Sequence, residues 1–317
     1  MIVRWGLDAL PEVLAEVGIA RPLLVASERW SALDLPSVAA WHEIPSHRIA
    51  VPDGVDGVLA VGGGSAIDTA KAASAARGVP VVSVPTTYSG SEWTPTFGVR
   101  DPDRRIVGGG GGARMAGIVY EPKLTLGLPR AESGGTAMNA LAHTAEALYV
   151  RGRTDAGDER ALEGARLIAE VLPLMLERPD DLELRTHLLE GAAYAGEALA
   201  LAGLGLGHAM AQAVGGAYGL PHGTMNAIVL PAALRFNARV VPEAVRRFGE
   251  AIGAPGDPAA KVEELAALSG PTRLRDIGVP EADLPKLAEA AASRGGNLAN
   301  PRPATPDEVE ELYRSVW

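Results

Sequence analysis

Short apolar runs alternate with helical patterns along the first third of the chain. Residues 23–26 read as a strand that follows a first helix over 8–17. A second strand is expected at 55–61 (VDGVLAV), then a helix over 65–77 in which Ile67, Ala70, Lys71 and Ser74 recur at helical spacing. A third strand, 79–84 (VPVVSV), closes on Pro85. Strand, glycine turn, helix, strand is a βαβ unit, and such crossovers imply a parallel sheet. A small strand pair, 96–99 with 118–120, is expected around the glycine cluster 108–112.

From Ser133 onward the pattern changes to helices, expected over 137–150, 158–176, 181–201, 209–217, 224–237, 242–252, 258–269, 281–291 and 306–316. The LTLGLP stretch, 124–129, marks the boundary. The pattern therefore predicts an α/β nucleotide-type domain over 1–128 and an all-α helical domain over 129–317.

Composition narrows the classes of function. The 317 residues are 47% hydrophobic and 21% charged, which excludes a mainly disordered chain. A net charge of −10 without a basic block leaves no electrostatic footprint for nucleic acid or an anionic membrane. Cysteine is absent, so thiol nucleophiles, thiolate metal sites and disulfides are excluded. Asp8 and Glu12 interrupt the start of the chain where a secretory signal needs an apolar run, which predicts a cytoplasmic protein. The apolar run 198–220 is long enough to suggest a membrane span, but it carries His208 and Gln212 one turn apart. It is read as a buried, glycine-rich element of a water-soluble core, with no membrane partner.

Candidate chemistry begins at Gly62-Gly63-Gly64-Ser65, between a strand and a helix. Glycines allow close approach of the backbone to a ligand, and a helix N-terminus favours a phosphate. Ser65 and Asp68 have the spacing of a capping box, so a purely structural turn is the competing reading. The segment PTTYSGSE (85–92) follows the third strand and offers hydroxyls where ligands sit in parallel sheets, beyond the carboxyl ends of the strands. Of six histidines, His42, His47 and His187 are expected at the surface. His143, His208 and His222 lie in apolar surroundings, and Asn139 shares a helix face with His143. A satisfied core histidine is the commoner reading of any one of them; together they could converge on a metal, on a substrate carboxylate or on one another.

GGGSAIDTAKA (62–72), PTTYSGSE (85–92), NALAHTAEALY (139–149), the interval from His208 to His222 and PHGTMNAIVLP (221–231) resemble the iron-containing alcohol dehydrogenase superfamily. Within it, Asn139, LTLGLP, GPTRLRDIGVPEADL (270–284) and NPRPATPDEV (300–309) are most similar to the maleylacetate reductases. The resemblance implies an α/β N-terminal Rossmann-like domain with a parallel sheet and an all-α C-terminal helical domain, the dehydroquinate synthase-like architecture. It implies NADH or NADPH in the cleft between the domains, a small-molecule substrate and a homodimer. Gly62, Gly63, Gly64, Ser65, Asp68, Thr86, Thr87, Ser89 and Ser27 become candidate coenzyme contacts. His143, His208, His222 and Asn139 become candidate catalytic groups of a reductase acting on a small oxo or enoyl acid.

The chain also departs from the pattern. Metal-dependent members carry Asp where Asn139 stands, so no tight metal is expected. If Fe²⁺ or Zn²⁺ binds, Asn139, His143, His208 and His222 are its ligands and the chain reads as a metal-dependent alcohol dehydrogenase. Ala209, Gln212 and Asn226 replace a Lys and two histidines of the maleylacetate reductases, removing partners for a dicarboxylate. Ser27-Glu28-Arg29 lacks the Asp that meets the adenosine ribose in many members, so NADPH fits as well as NADH. The span between the first strand and the GGGS strand is short, and a helix is expected to be missing there. A cyclase or lyase of the same architecture and a degenerate binding protein complete the alternatives.

Overall fold

The computed structural model describes every residue except His47, Pro102 and Asp103; the surface position expected for His47 therefore lies outside the described residues. Two units are distinct: residues 1–87 with 91–127, and residues 88–90 with 128–317.

The first unit is built on a six-stranded parallel sheet. Its strands are β1 (Ile2–Trp5), β2 (Pro22–Ala26), β3 (Ala39–Trp41), β4 (Gly57–Gly62), β5 (Pro80–Pro85) and β8 (Arg114–Tyr120), in the order β1-β8-β5-β4-β2-β3. Helices α1 (Leu10–Glu16) and α2 (Gly64–Arg77) accompany it. The central strands alternate residues between two apolar layers. Leu24, Leu59, Val61, Val82 and Val84 pack with Leu10, Val13 and Leu14 of α1. Leu23, Val25, Val58, Ala60 and Val81 pack with Ile67, Ala70 and Ala73 of α2. Burial on both faces is why these strands read as continuous apolar runs.

The pairing expected for 96–99 with 118–120 is corrected. β6 (Phe97–Arg100) pairs antiparallel with β7 (Ile106–Gly110), while Ile118 sits in β8 between β1 and β5. Two strands without a strong pattern, β1 and β3, flank the sheet. Between β2 and β4 the described residues hold a 3-10 turn (Glu28–Trp30) and β3, and no α-helix.

The second unit contains α3 (Arg130–Ala147), α4 (Asp155–Glu177), α5 (Leu182–Ala202), α6 (Leu206–Tyr218), α7 (His222–Ala238), α8 (Pro242–Ala251), α9 (Pro258–Ser269), α10 (Leu284–Ala292), α11 (Gly295–Ala299) and α12 (Pro306–Ser315). Proline at the first position starts α8, α9 and α12, where its missing N–H costs nothing. Thr305 and Glu308 form a capping box on α12. The apolar run 198–220 is not one helix: it ends α5, breaks at Gly203 (φ +93°) and turns by 103° into α6. Among the described residues no single helix is long and apolar enough to cross a membrane.

Candidate active site

In the first unit, the glycine turn joins the carboxyl end of β4 to α2. Gly62 has φ +150°, and a Cβ there would fall 2.7 Å from Ala66. Gly63 adopts an ordinary extended conformation, so its requirement is space: a Cβ would lie 2.7 Å from Thr87 Cγ2. The capping box expected from Ser65 and Asp68 does not form. Gly63 is the N-cap of α2, and no side chain caps the helix. Asp68 is used elsewhere, accepting from Ser91 Oγ at 2.6 Å and from the Gly98 N–H at 3.1 Å. Buried Lys71 ties the same segment together, donating to Ser91 Oγ (2.9 Å) and to the Thr96 carbonyl (2.9 Å). Asp68 thus shapes the loop that follows β5 rather than the helix start.

An uncapped helix start beside a cradle that a Cβ would fill suits a pyrophosphate. Thr87 Oγ1, next to Gly63, is buried with no partner among the described residues. Thr86 is buried and its N–H donates to the Gly62 carbonyl. Ser27 stands at the carboxyl end of β2, followed by Arg29, whose guanidinium lies over the Trp30 ring. These residues fit a dinucleotide coenzyme.

In the second unit, the three apolar-context histidines converge. Asn139, His143 and Glu146 form one stripe of α3 at i, i+4 and i+7. His208 lies in the first turn of α6, and His222 and Asn226 open α7. The rings of His143 and His208 stack with centroids 4.6 Å apart and planes 16° apart; those of His208 and His222 are 5.7 Å apart.

Two fixed acceptors set the polarity of the cluster. The Ser89 carbonyl can only accept, so Asn139 turns its Nδ2 toward it (2.9 Å). Asn139 Oδ1 then accepts from Asn226 Nδ2 at 2.6 Å, and Asn226 Nδ2 also lies 3.2 Å from His222 Nε2. Asn139 Nδ2 is 3.4 Å from His143 Nε2, so that nitrogen is an acceptor and His143 carries its proton on Nδ1. The second acceptor is Glu146, wholly buried, whose Oε2 lies 2.6 Å from His208 Nδ1. Burial holds the His143 imidazole well below the usual histidine range, and the charges of His208 and His222 lower it further. His143 is therefore a neutral hydrogen-bond donor at neutral pH.

Four buried polar atoms in this region have no partner among the described residues: His143 Nδ1, His208 Nε2, Asn226 Oδ1 and Ser89 Oγ. Orphaned polar atoms in one place are what a polar ligand would satisfy. The arrangement does not suit a divalent ion. Stacked rings do not aim their lone pairs at one point, and Asn139 Oδ1 is occupied by the Asn226 amide. Among the described residues no three His, Cys, Asp or Glu groups are placed to hold a metal.

The sequence singles out Asn139, His143, His208 and His222, which the structure brings together, but not Glu146, and Asn226 stands out in it only as a departure from the family pattern. The i, i+4, i+7 stripe in NALAHTAEALY was the available signal for Glu146, since an acid on the buried face of an apolar helix needs a partner. Ala209 is buried, and a Cβ on Gly296 of α11 would lie 3.5 Å from its own. His42 and His187, expected at the surface, are half-buried, and His42 Nδ1 donates to the Ala26 carbonyl at 2.7 Å.

A parallel α/β unit with a glycine-rich phosphate turn and a helical unit with an imidazole cluster define a nucleotide-dependent oxidoreductase class. The profile for the Fe-containing alcohol dehydrogenase family, C-terminal, matches residues 134–317, and that for iron-containing alcohol dehydrogenase matches 47–115. The chain is 33% identical over 331 residues to the maleylacetate reductase of Pseudomonas knackmussii, covering 98% of this chain and 93% of that protein. It is 37% identical over 258 residues to that of Sphingobium indicum, covering 81% and 72%. The crystal structure of maleylacetate reductase from Agrobacterium tumefaciens superposes with a TM-score of 0.86 at 28% identity, covering 100% of this chain and 95% of that one. The chain belongs to the iron-containing alcohol dehydrogenase family and is an oxidoreductase.

Proposed function

We propose that the protein is an NAD(P)H-dependent reductase of a small oxo or enoyl acid, with maleylacetate, reduced to 3-oxoadipate, as the leading substrate. The observation that carries this reading is the group of orphaned imidazole and amide atoms in the helical unit, taken with the maleylacetate reductases that the chain resembles over nearly its full length.

When bound, the reduced nicotinamide supplies a hydride. Gly62, Gly63, Gly64 and Ser65 would hold the pyrophosphate at the start of α2, with Thr86, Thr87, Ser89 and Ser27 as further candidate contacts. Reduction of a carbon–carbon double bond conjugated to a carbonyl drives negative charge onto the carbonyl oxygen. The His143 Nδ1–H is a neutral donor suited to that charge, and His208 Nε2 is suited to deliver a proton. The cluster needs no Lewis acid for this chemistry. The net charge of −10 without a basic block supports action on a small molecule without nucleic acid or membrane partners, and the family resemblance supports a homodimer.

Titration with NADH and with NADPH, followed by coenzyme oxidation over maleylacetate, simple keto acids and aldehydes, tests the reading. Binding of at least one nucleotide and oxidation coupled to an enoyl or oxo acid are expected. Binding of neither would exclude a reductase of either kind.

A further inference from the structure

Glu146 makes more contacts than an anchor for the backbone requires. Its Oε2 accepts from the Gly205 N–H at 2.6 Å, and its Oε1 accepts from the His208 N–H at 3.0 Å. Those two bonds alone would fix the turn between α5 and α6. The third contact, from Oε2 to His208 Nδ1 at 2.6 Å, reaches the ring of the same histidine whose backbone the carboxylate already holds. The glycines of GLGLG make this possible: a Cβ on Gly205 would lie 3.0 Å from Glu146 Cδ, and one on Gly207 3.0 Å from Oε1.

We propose that Glu146 is a positioning residue for the reduction. It holds His208 with a proton on Nδ1 and so presents Nε2 as the atom that passes a proton to the substrate. The inference rests on the reductase reading above. Both Glu146 oxygens already accept backbone N–H bonds, so the carboxyl group acts as an acceptor; its partner at Nδ1 is the donor, and Nε2 is left to exchange the mobile proton. The stack on His143 and the double hold on ring and backbone prevent the imidazole from turning that nitrogen away. In the step, the Nε2–H bond breaks and a bond from that hydrogen to the substrate forms. Together with the coenzyme's hydride this adds two hydrogens across one double bond. His208 is left neutral, its Nδ1–H still on Glu146, and regains a proton from water.

The full-length protein labelled with ¹⁵N-histidine should show His208 carrying its proton on Nδ1. In Glu146→Gln, one amide oxygen cannot serve all three donors; an NH₂ group facing the ring drives the proton to Nε2. We expect the ¹⁵N signature to switch, kcat to fall by on the order of 100-fold or more, and KM for the coenzyme to stay within about twofold. Should that variant fail to fold, His208→Asn decides, because its amide still donates to Glu146 and keeps the turn while deleting Nε2. It should bind coenzyme normally and lose turnover to the same degree. A wild-type His208 with no proton on Nδ1, or wild-type turnover in either folded variant, overturns the proposal while the reductase reading stands. A wild-type protein that binds neither nucleotide overturns the reductase reading and with it the role given to Nε2, whatever the ¹⁵N spectrum shows.

Discussion

Gly63→Val is expected to weaken coenzyme binding by on the order of 100-fold, about 2.7 kcal/mol, in a protein that remains folded. The backbone at Gly63 has φ −82° and ψ −171°, an extended conformation that a β-branched residue adopts without strain. The obstacle is local: the new Cβ would fall 2.7 Å from Thr87 Cγ2 and 3.2 Å from its Oγ1. The valine therefore takes up space in the cradle and displaces a hydroxyl that is a candidate coenzyme contact. Circular dichroism and thermal unfolding check the fold, and fluorescence titration with NADH and NADPH gives the affinity. Gly62→Val is the contrasting variant, because φ +150° and the Ala66 contact at 2.7 Å strain the backbone itself. Unchanged affinity in folded Gly63→Val would return the turn to a purely structural role.

Asn139→Asp is expected to lower the stability of the metal-free protein and to create a response to zinc that the natural protein lacks. The substitution replaces an NH₂ by an oxygen facing the Ser89 carbonyl, where Asn139 Nδ2 now donates at 2.9 Å. Two acceptors then oppose each other in a buried site, at a cost of about 1–3 kcal/mol. For a chain of this size that corresponds to a fall in Tm of several degrees, on the order of 2–4 °C per kcal/mol. A divalent cation supplies the missing positive charge, and the new carboxylate supplies the anionic ligand that the amide cannot. Zn²⁺ should therefore raise the Tm of Asn139→Asp and leave that of the natural protein unchanged. Equal stabilisation of both would show that the imidazole cluster already holds the ion.

The strands buried on both faces were legible because every residue of 57–62 and 81–85 is apolar or small. β1 was not: it spans only Ile2–Trp5, includes Arg4, and lies at the sheet edge with Trp5 43% exposed. β3 has three residues. Missing β1 removed the neighbour of β8, so Ile118 was paired with the nearest local run instead of its partners in the sheet. β7 was invisible for another reason: it consists largely of glycine, which carries no strand preference. The histidine cluster was legible as residue types and spacing, but its polarity was not. Which nitrogen of His208 carries the proton depends on a carboxylate 62 positions earlier in the chain, and which way Asn139 faces depends on a carbonyl 50 positions away. Such contacts exist only after folding brings α3, α6 and the segment after β5 together.

The proposed reaction is a coenzyme-dependent reduction carried by imidazoles and amides alone. Its most direct measurement is the rate of NAD(P)H oxidation with maleylacetate, before and after exhaustive chelation, alongside elemental analysis of the same preparation. Well under one Fe or Zn per chain, one coenzyme oxidised per substrate consumed, and a rate unchanged by the chelator are expected. Stoichiometric metal, with turnover lost on chelation and regained on adding Fe²⁺ or Zn²⁺, would contradict this and make Asn139, His143, His208 and His222 ligands instead of proton-handling groups.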